Sequence, residues 1–135
     1  MNPSNTIRIY QDDHYAKHIG QVIGGTQFFL TTPFIPATSD NKGSQFIALY
    51  LFDSSGKFIG AKIDDLGPRE SLDTEQADSL YELFLNRLNT PSFCDIEIEA
   101  FQIEKHGITF GLFQSQDTDK KLVLQPGNYM SFPTP

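Results

Sequence analysis

The feature that most constrains this chain is an apolar run of seven residues, Phe46 to Phe52. It is apolar at odd and even positions alike, whereas a strand with one face in water alternates apolar and polar residues. The run therefore predicts a strand that is buried on both faces and central in its sheet. Asp53-Ser54-Ser55-Gly56 then predicts a turn, because Asp accepts backbone hydrogen bonds and Gly adopts left-handed backbone angles. Lys57 to Asp64 is the expected return strand.

Other runs of strand length lie on both sides of this hairpin. His18 to Ile23 and Thr26 to Thr32 flank Gly24-Gly25, which predicts a two-residue turn with positive φ at both glycines. Further along, the apolar positions change phase between Ile98 and Phe101, so we expect a bulge or bend near Ala100. The remaining expected strands are Ile7 to Tyr10, Ile108 to Phe113, Leu122 to Leu124 and Tyr129 to Phe132.

One helix is indicated, at residues 74–89. Asp73 is a favourable N-cap residue, and Gln76 three positions later completes a capping-box pattern. Pro91 prevents the helix from continuing. Apolar residues recur on one helical face at Ala77, Leu80, Tyr81, Phe84 and Leu88.

These elements predict an α+β fold. Several short strands joined by short turns favour a mostly antiparallel sheet, and the amphipathic helix must pack on one face of that sheet, giving two layers. We expect a single domain over residues 1–135, because this is a common domain length and no linker or repeat divides it. Residues 1–6 and 133–135 are expected to be flexible ends.

The composition excludes several classes of partner. The chain has 17 acidic and 10 basic residues and a formal net charge of −7. Such a surface repels nucleic acid and anionic lipid, so we predict neither as a partner. The single cysteine, Cys94, cannot form an internal disulfide and favours a reducing compartment. Met1 to Asn5 lacks the pattern of a signal peptide, so we expect a cytoplasmic protein that does not associate with membranes.

Two histidines form the most suggestive local pattern for chemistry. His14 and His18 are four positions apart, and on a helix two imidazoles at that spacing could share a metal ion. The glutamate that zinc-protease motifs place beside the first histidine is not present, and Asp12 and Asp13 are the nearest further ligands. We therefore predict no metal site and no cofactor. Since the sequence also lacks a nucleophile elbow and a phosphate-binding loop, we assign no catalytic residue.

The charge distribution gives the strongest remaining signal. From Asp64 to Glu82 the chain has seven acids and one base, Arg69, so this segment carries −6 of the net charge of −7. An ordinary solvated surface is the simplest interpretation, and the alternative is a surface that docks on a basic protein partner. The residues assigned to such a partner-binding surface are Asp64, Asp65, Glu70, Glu75, Asp78 and Glu82.

Three stretches of the sequence carry a resemblance. They are the stretch from His18-Ile19-Gly20 through Phe28 to Pro36, and the later stretches Phe46 to Asp53 and Asp64 to Arg69. Together they resemble a group of small uncharacterised bacterial proteins over most of the chain. The resemblance implies a bacterial cytoplasmic origin, and it brings no activity and no site residue.

These observations favour a non-enzymatic acidic binding protein. A concrete form is an immunity or inhibitor protein that neutralises a basic, toxin-like protein, often a nuclease. Two alternatives stay open. One is a small enzyme or ligand-binding domain that uses His14, His18 and nearby acids, and the other is a structural subunit that oligomerises through an aromatic surface.

Overall fold

A computed structural model of the chain describes residues 6–11, 18–35, 38–40, 42–88, 90–114, 122–125 and 130–132. These ranges contain twelve strands, one α-helix, α1 (Thr74–Asn86), and a short 3-10 helix (Arg69–Ser71). The strands are β1 (Thr6–Ile9), β2 (His18–Gln21), β3 (Gln27–Thr31), β4 (Phe34–Ile35), β5 (Ser44–Phe52), β6 (Phe58–Asp65), β7 (Ser92–Phe93), β8 (Ile96–Glu99), β9 (Phe101–Lys105), β10 (Ile108–Gln114), β11 (Leu122–Gln125) and β12 (Met130–Phe132).

The described strands form three antiparallel sheets. In the central sheet β5 pairs with β6 on one side and with β3 and β4 on the other, and β2 and β7 continue beyond β3. A second sheet consists of β1 and β8, and a third has the order β12-β11-β10-β9. The predicted α+β class, with mostly antiparallel strands and one helix on the sheet, is confirmed. The division into three sheets was not indicated by the sequence.

Strand β5 contains the apolar run and is central, as predicted. Phe46, Ala48, Tyr50 and Phe52 are buried on one face of the sheet, while Ile47 is buried on the opposite face against α1. The first face packs on the two outer sheets through Ile7, Ile9, Ile96, Ile98, Phe101, Phe110 and Leu112. The expected two layers therefore become three, which explains why the run Phe46 to Phe52 within β5 is apolar at odd and even positions alike.

Helix α1 begins where the sequence predicts and ends earlier. Asp73 Oδ1 accepts a hydrogen bond from Gln76 N–H at 3.2 Å, so the N-cap is confirmed. The helix ends at Asn86 rather than at residue 89 because its last turn tightens, with Leu88 N–H donating to Leu85 O, three positions back, at 3.1 Å.

The buried face of α1 is centred on Phe84, which is 2% exposed. Leu80 and Tyr81 pack beside it, as the stripe predicted, and Leu85 takes part as well. Leu88 lies beyond the end of the helix. The helix thus covers the face of the central sheet that presents Leu30 and Ile47.

Two hairpin turns show how far local patterns determine geometry. Gly24 and Gly25 have φ angles of 100° and 93°, so positive φ is confirmed at both. The connection nevertheless has three residues, since Val22 N–H donates to Thr26 O at 2.9 Å across it. A two-residue turn joins β9 to β10, where His106 and Gly107 have φ angles of 54° and 73°. Type I′ turns require positive φ at both positions.

The change of apolar phase takes place at Ala100, as predicted. β8 ends before this residue and β9 begins after it. The interruption lets both Ile98 and Phe101 face the core while the pairing partner changes from β1 to β10.

The expectations for the chain ends are only partly covered by the structure. Thr6, expected in a flexible end, is the first residue of β1. Residues 1–5 and 133–135 lie outside the described residues. In the parts of the chain that the structure describes, no helix is long and apolar enough to cross a membrane.

Candidate protein-binding site

Three of the six predicted partner-binding acids lie together on α1. Glu75, Asp78 and Glu82 are exposed, and their spacing of three and four residues places them along one side of the helix. Phe84 fixes which side this is, because its side chain points into the core. We call Glu75, Asp78 and Glu82 the acidic helix face.

The other acids are spread around this helix. Lys62 Nζ lies over the Phe84 ring at 5.6 Å, so Asp64, two positions further along β6, is on the sheet face that α1 covers. Asp65 points to the opposite face, and its Oδ1 accepts a hydrogen bond from Gly67 N–H at 2.8 Å. Glu70 is exposed in the 3-10 helix before α1. The six acids therefore do not form one continuous surface.

The acidic helix face is not neutralised by ion pairs within the described residues. The ion pairs found there join Arg8 to Glu97 at 2.9 Å and to Asp95 at 3.6 Å, away from α1. Asp78 and Glu82 are like charges at i and i+4, an arrangement that destabilises a helix slightly. The negative charge of this face is thus directed to solvent.

A groove borders the acidic helix face. It has a volume of about 590 Å³ and is lined by Asp73, Glu75, Gln76, Ser79, Leu80 and Leu83. Leu83 is 43% exposed. Sequence reasoning missed this residue because it lies outside the predicted apolar stripe, and an apolar residue beside such a stripe is the signal that could have found it.

A second concave region lies where β1, β8 and two hairpins meet. It has a volume of about 430 Å³ and includes Arg8, Gln27, Asp95 and Glu97 in its lining. Its charged groups already bind one another, since Arg8 pairs with both carboxylates and Asp95 Oδ1 accepts from Gln11 N–H at 2.8 Å. These carboxylates therefore do not form a free acid–base pair.

The predicted histidine pattern is only partly covered. His14 lies outside the described residues, and His18 is in strand β2 rather than on a helix, so the helical spacing argument does not apply to it. His18 Nδ1 and the Tyr81 hydroxyl are hydrogen-bonded at 2.5 Å, which joins α1 to the sheet. Burial and, secondarily, the charge of Glu82 raise the pKa of Tyr81 to about 12, so this hydroxyl is neutral near neutral pH.

The residues that the structure describes do not include an arrangement suited to a metal ion. No group of three or more His, Cys, Asp or Glu side chains among the described residues is arranged to hold a metal ion. The sequence's expectation of no metal site and no cofactor stays a prediction, since Asp12, Asp13 and His14 lie outside the described residues.

Comparison with known proteins gives no match that would assign a role to this site. Neither a family model, nor a curated protein, nor a solved structure matches the chain. The resemblance to a group of bacterial proteins therefore stays a prediction.

Proposed function

We propose that this chain is a non-enzymatic binding protein whose acidic helix face docks on a basic protein partner. The observation that carries the proposal is that Glu75, Asp78 and Glu82 share the exposed side of α1 and none has an ion-pair partner among the described residues. Like charges on one helix destabilise it, and a partner that supplies cations would reverse that effect. A basic surface is therefore the complementary partner.

Charge of this kind acts mainly on the rate of association. Exposed like charges attract an oppositely charged protein and so raise the rate at which the two proteins meet. Salt weakens this attraction, which is largely screened beyond a Debye length of about 8 Å at physiological ionic strength. We expect association to be fast at low salt and to slow as salt is added.

An immunity or inhibitor protein is the concrete form of this proposal. A toxin that acts on nucleic acid needs a basic surface to bind phosphates. An acidic protein face binds the same cations and so competes with the nucleic acid. Bacterial origin and a cytoplasmic location belong to the same proposal.

The test uses partner capture followed by binding kinetics. Wild-type protein is immobilised on a support and exposed to an extract of the native host, from which it should retain a basic protein. The purified partner should then associate with the wild-type protein faster at low salt than at high salt. The variant Glu75→Lys/Asp78→Lys/Glu82→Lys should slow association at least tenfold while its circular dichroism spectrum stays unchanged.

A matched pair of single variants separates the position of a charge from its amount. Glu82→Lys changes the acidic helix face, whereas Glu104→Lys makes the same change at an exposed residue of β9. Only Glu82→Lys should slow association. Salt-independent association, or equal effects of the two variants, would refute the proposal.

A further inference from the structure

The groove on α1 combines apolar contacts with a negative rim. Leu80 and Leu83 supply its apolar surface, and Asp73 and Glu75 carry carboxylates at its edge. The groove is shallow and open to solvent, with a volume of about 590 Å³, so it can contact one large side chain laid along it without enclosing a small molecule.

The apolar surface of this groove is anchored in the core. Leu80 packs against the buried cluster formed by Leu30, Ile47 and Phe84. A side chain that contacts Leu80 from outside therefore meets a surface held by the sheet beneath it. Such support lowers the entropy lost on binding, because the contacting residues are already ordered.

Exposure alone does not distinguish Leu83. Ile23 and Ile59 are more exposed, at 64% and 56%, and isolated apolar side chains on a surface are normal. Leu83 differs because it lines a groove whose wall includes Glu75, which also belongs to the acidic helix face. An apolar centre with a charged rim is the usual arrangement of a protein-binding surface.

We propose that this groove receives one large apolar side chain from a segment of the basic partner in which Lys or Arg flank that side chain. The inference rests on the proposed function, because the acidic helix face supplies the charge complementary to the flanking cations. Charge would set the rate of encounter, and burial of the apolar side chain against Leu80 and Leu83 would set the rate of dissociation.

Electrostatic repulsion also disfavours a second copy of this chain as the occupant of the groove. The chain carries a net charge of −7, and α1 presents only acids on its exposed charged side. Two such faces would bring like charges together, which opposes association. A segment rich in Lys and Arg has the opposite effect.

Two fluorescein-labelled peptides test the proposal directly. One is Lys-Lys-Phe-Lys-Lys, and the other is Lys-Lys-Gly-Lys-Lys, which has the same charge and no large side chain. Fluorescence anisotropy with the full-length wild-type chain should show the first peptide binding about tenfold more tightly, as expected for partial burial of one aromatic side chain.

Variants of exposed leucine and isoleucine residues locate the effect. Leu83→Ala should abolish most of the tenfold difference, and Leu83→Gln, which keeps the length of the side chain, should do the same. Ile23→Ala removes apolar surface from the β2–β3 turn and should leave the difference intact. Equal affinity of the two peptides for wild-type protein, or an unchanged difference in both Leu83 variants, would overturn the proposal.

The variant Glu75→Lys/Asp78→Lys/Glu82→Lys separates this inference from the proposed function. If the two peptides bind equally and both lose affinity in this variant, the groove proposal fails and the acidic helix face stands. If neither peptide responds to the charge reversal, the acidic helix face fails whatever Leu83 does, and the groove proposal fails with it.

Discussion

The side-chain amide of Gln27 makes both hydrogen bonds that the backbone of Glu97 would make to a neighbouring strand. Nε2 donates to Glu97 O at 2.8 Å, and Oε1 accepts from Glu97 N–H at 2.9 Å, across 70 positions of sequence. The same Nε2 donates to Asp53 O at 3.1 Å. Gln27 is only 4% exposed, so one buried amide joins β3, the β5–β6 turn and β8.

Replacing this amide should be costly. Gln27→Leu leaves Glu97 N–H and Glu97 O without the Gln27 amide, and it removes one bond to Asp53 O, which still accepts from Gly56 N–H at 2.9 Å. We therefore expect the free energy of unfolding to fall by about 2–4 kcal/mol. Urea unfolding followed by circular dichroism measures it. Gln21→Leu, at an exposed position of β2, is the matched control and should change stability by less than about 0.5 kcal/mol. Equal midpoints for the two variants would show that the Gln27 bonds do not stabilise the fold.

Phe84→Ala should remove the main contact between α1 and the central sheet. The expected loss is about 3–5 kcal/mol, since a buried aromatic side chain is replaced by a cavity. The exposed neighbour provides the comparison, because Leu83→Ala should leave the denaturation midpoint nearly unchanged. A midpoint unaffected by Phe84→Ala would contradict burial of this face.

Local patterns predicted the parts of the fold that depend on neighbouring residues. The cap at Asp73, the break at Ala100 and the central position of β5 all follow from spacing within a few residues. The end of α1 was placed too late, because the tightened last turn depends on hydrogen bonds that apolar spacing does not report.

Contacts between distant segments account for what the sequence did not reveal. Glutamine is usually found on the surface, so nothing in the sequence indicated that Gln27 is buried and hydrogen-bonded to β8. The acidic segment was identified by composition, but only the folded strand shows that Asp65 points away from α1. The groove at Leu83 likewise needs the geometry of the helix surface.

Glu82→Lys is expected to raise stability while it lowers partner binding. The change removes like-charge repulsion with Asp78 and places a cation near the C-terminal end of α1, whose last turn has no basic residue. We expect a gain of about 0.3–1 kcal/mol in urea unfolding. Glu104→Lys on β9 should give no such gain. A loss of stability in Glu82→Lys would show that the acidic helix face is not internally repulsive.

Asp53 makes the β5–β6 turn sensitive to acid. Its Oδ1 accepts hydrogen bonds from Lys57 N–H at 2.9 Å, from Ser55 Oγ at 2.8 Å and from Ser55 N–H at 3.0 Å. The bond from Lys57 N–H, followed by that from the Ser55 hydroxyl, lowers the pKa of Asp53 below its ordinary value of 3.8.

This lowered pKa fixes the direction of the pH dependence. The unfolded chain binds the proton more readily, so the stabilisation is present above pH 3.8 and is lost as the pH falls through the lower folded value. The difference in urea midpoint between wild type and Asp53→Asn should therefore be largest near neutral pH and shrink toward about pH 2. A difference that stays constant over this range would contradict the proposed ionic contribution.

The pairing of β1 with β8 has a consequence for how the chain reaches this structure. Arg8 and Glu97 are cross-strand partners 89 positions apart, whereas β5 and β6 are joined by a short turn. Contacts of high sequence separation form late, because a long loop must first be closed. During synthesis the β5–β6 hairpin can therefore form early. Ile7 and Ile9 cannot complete their packing in the core until β8 has been synthesised.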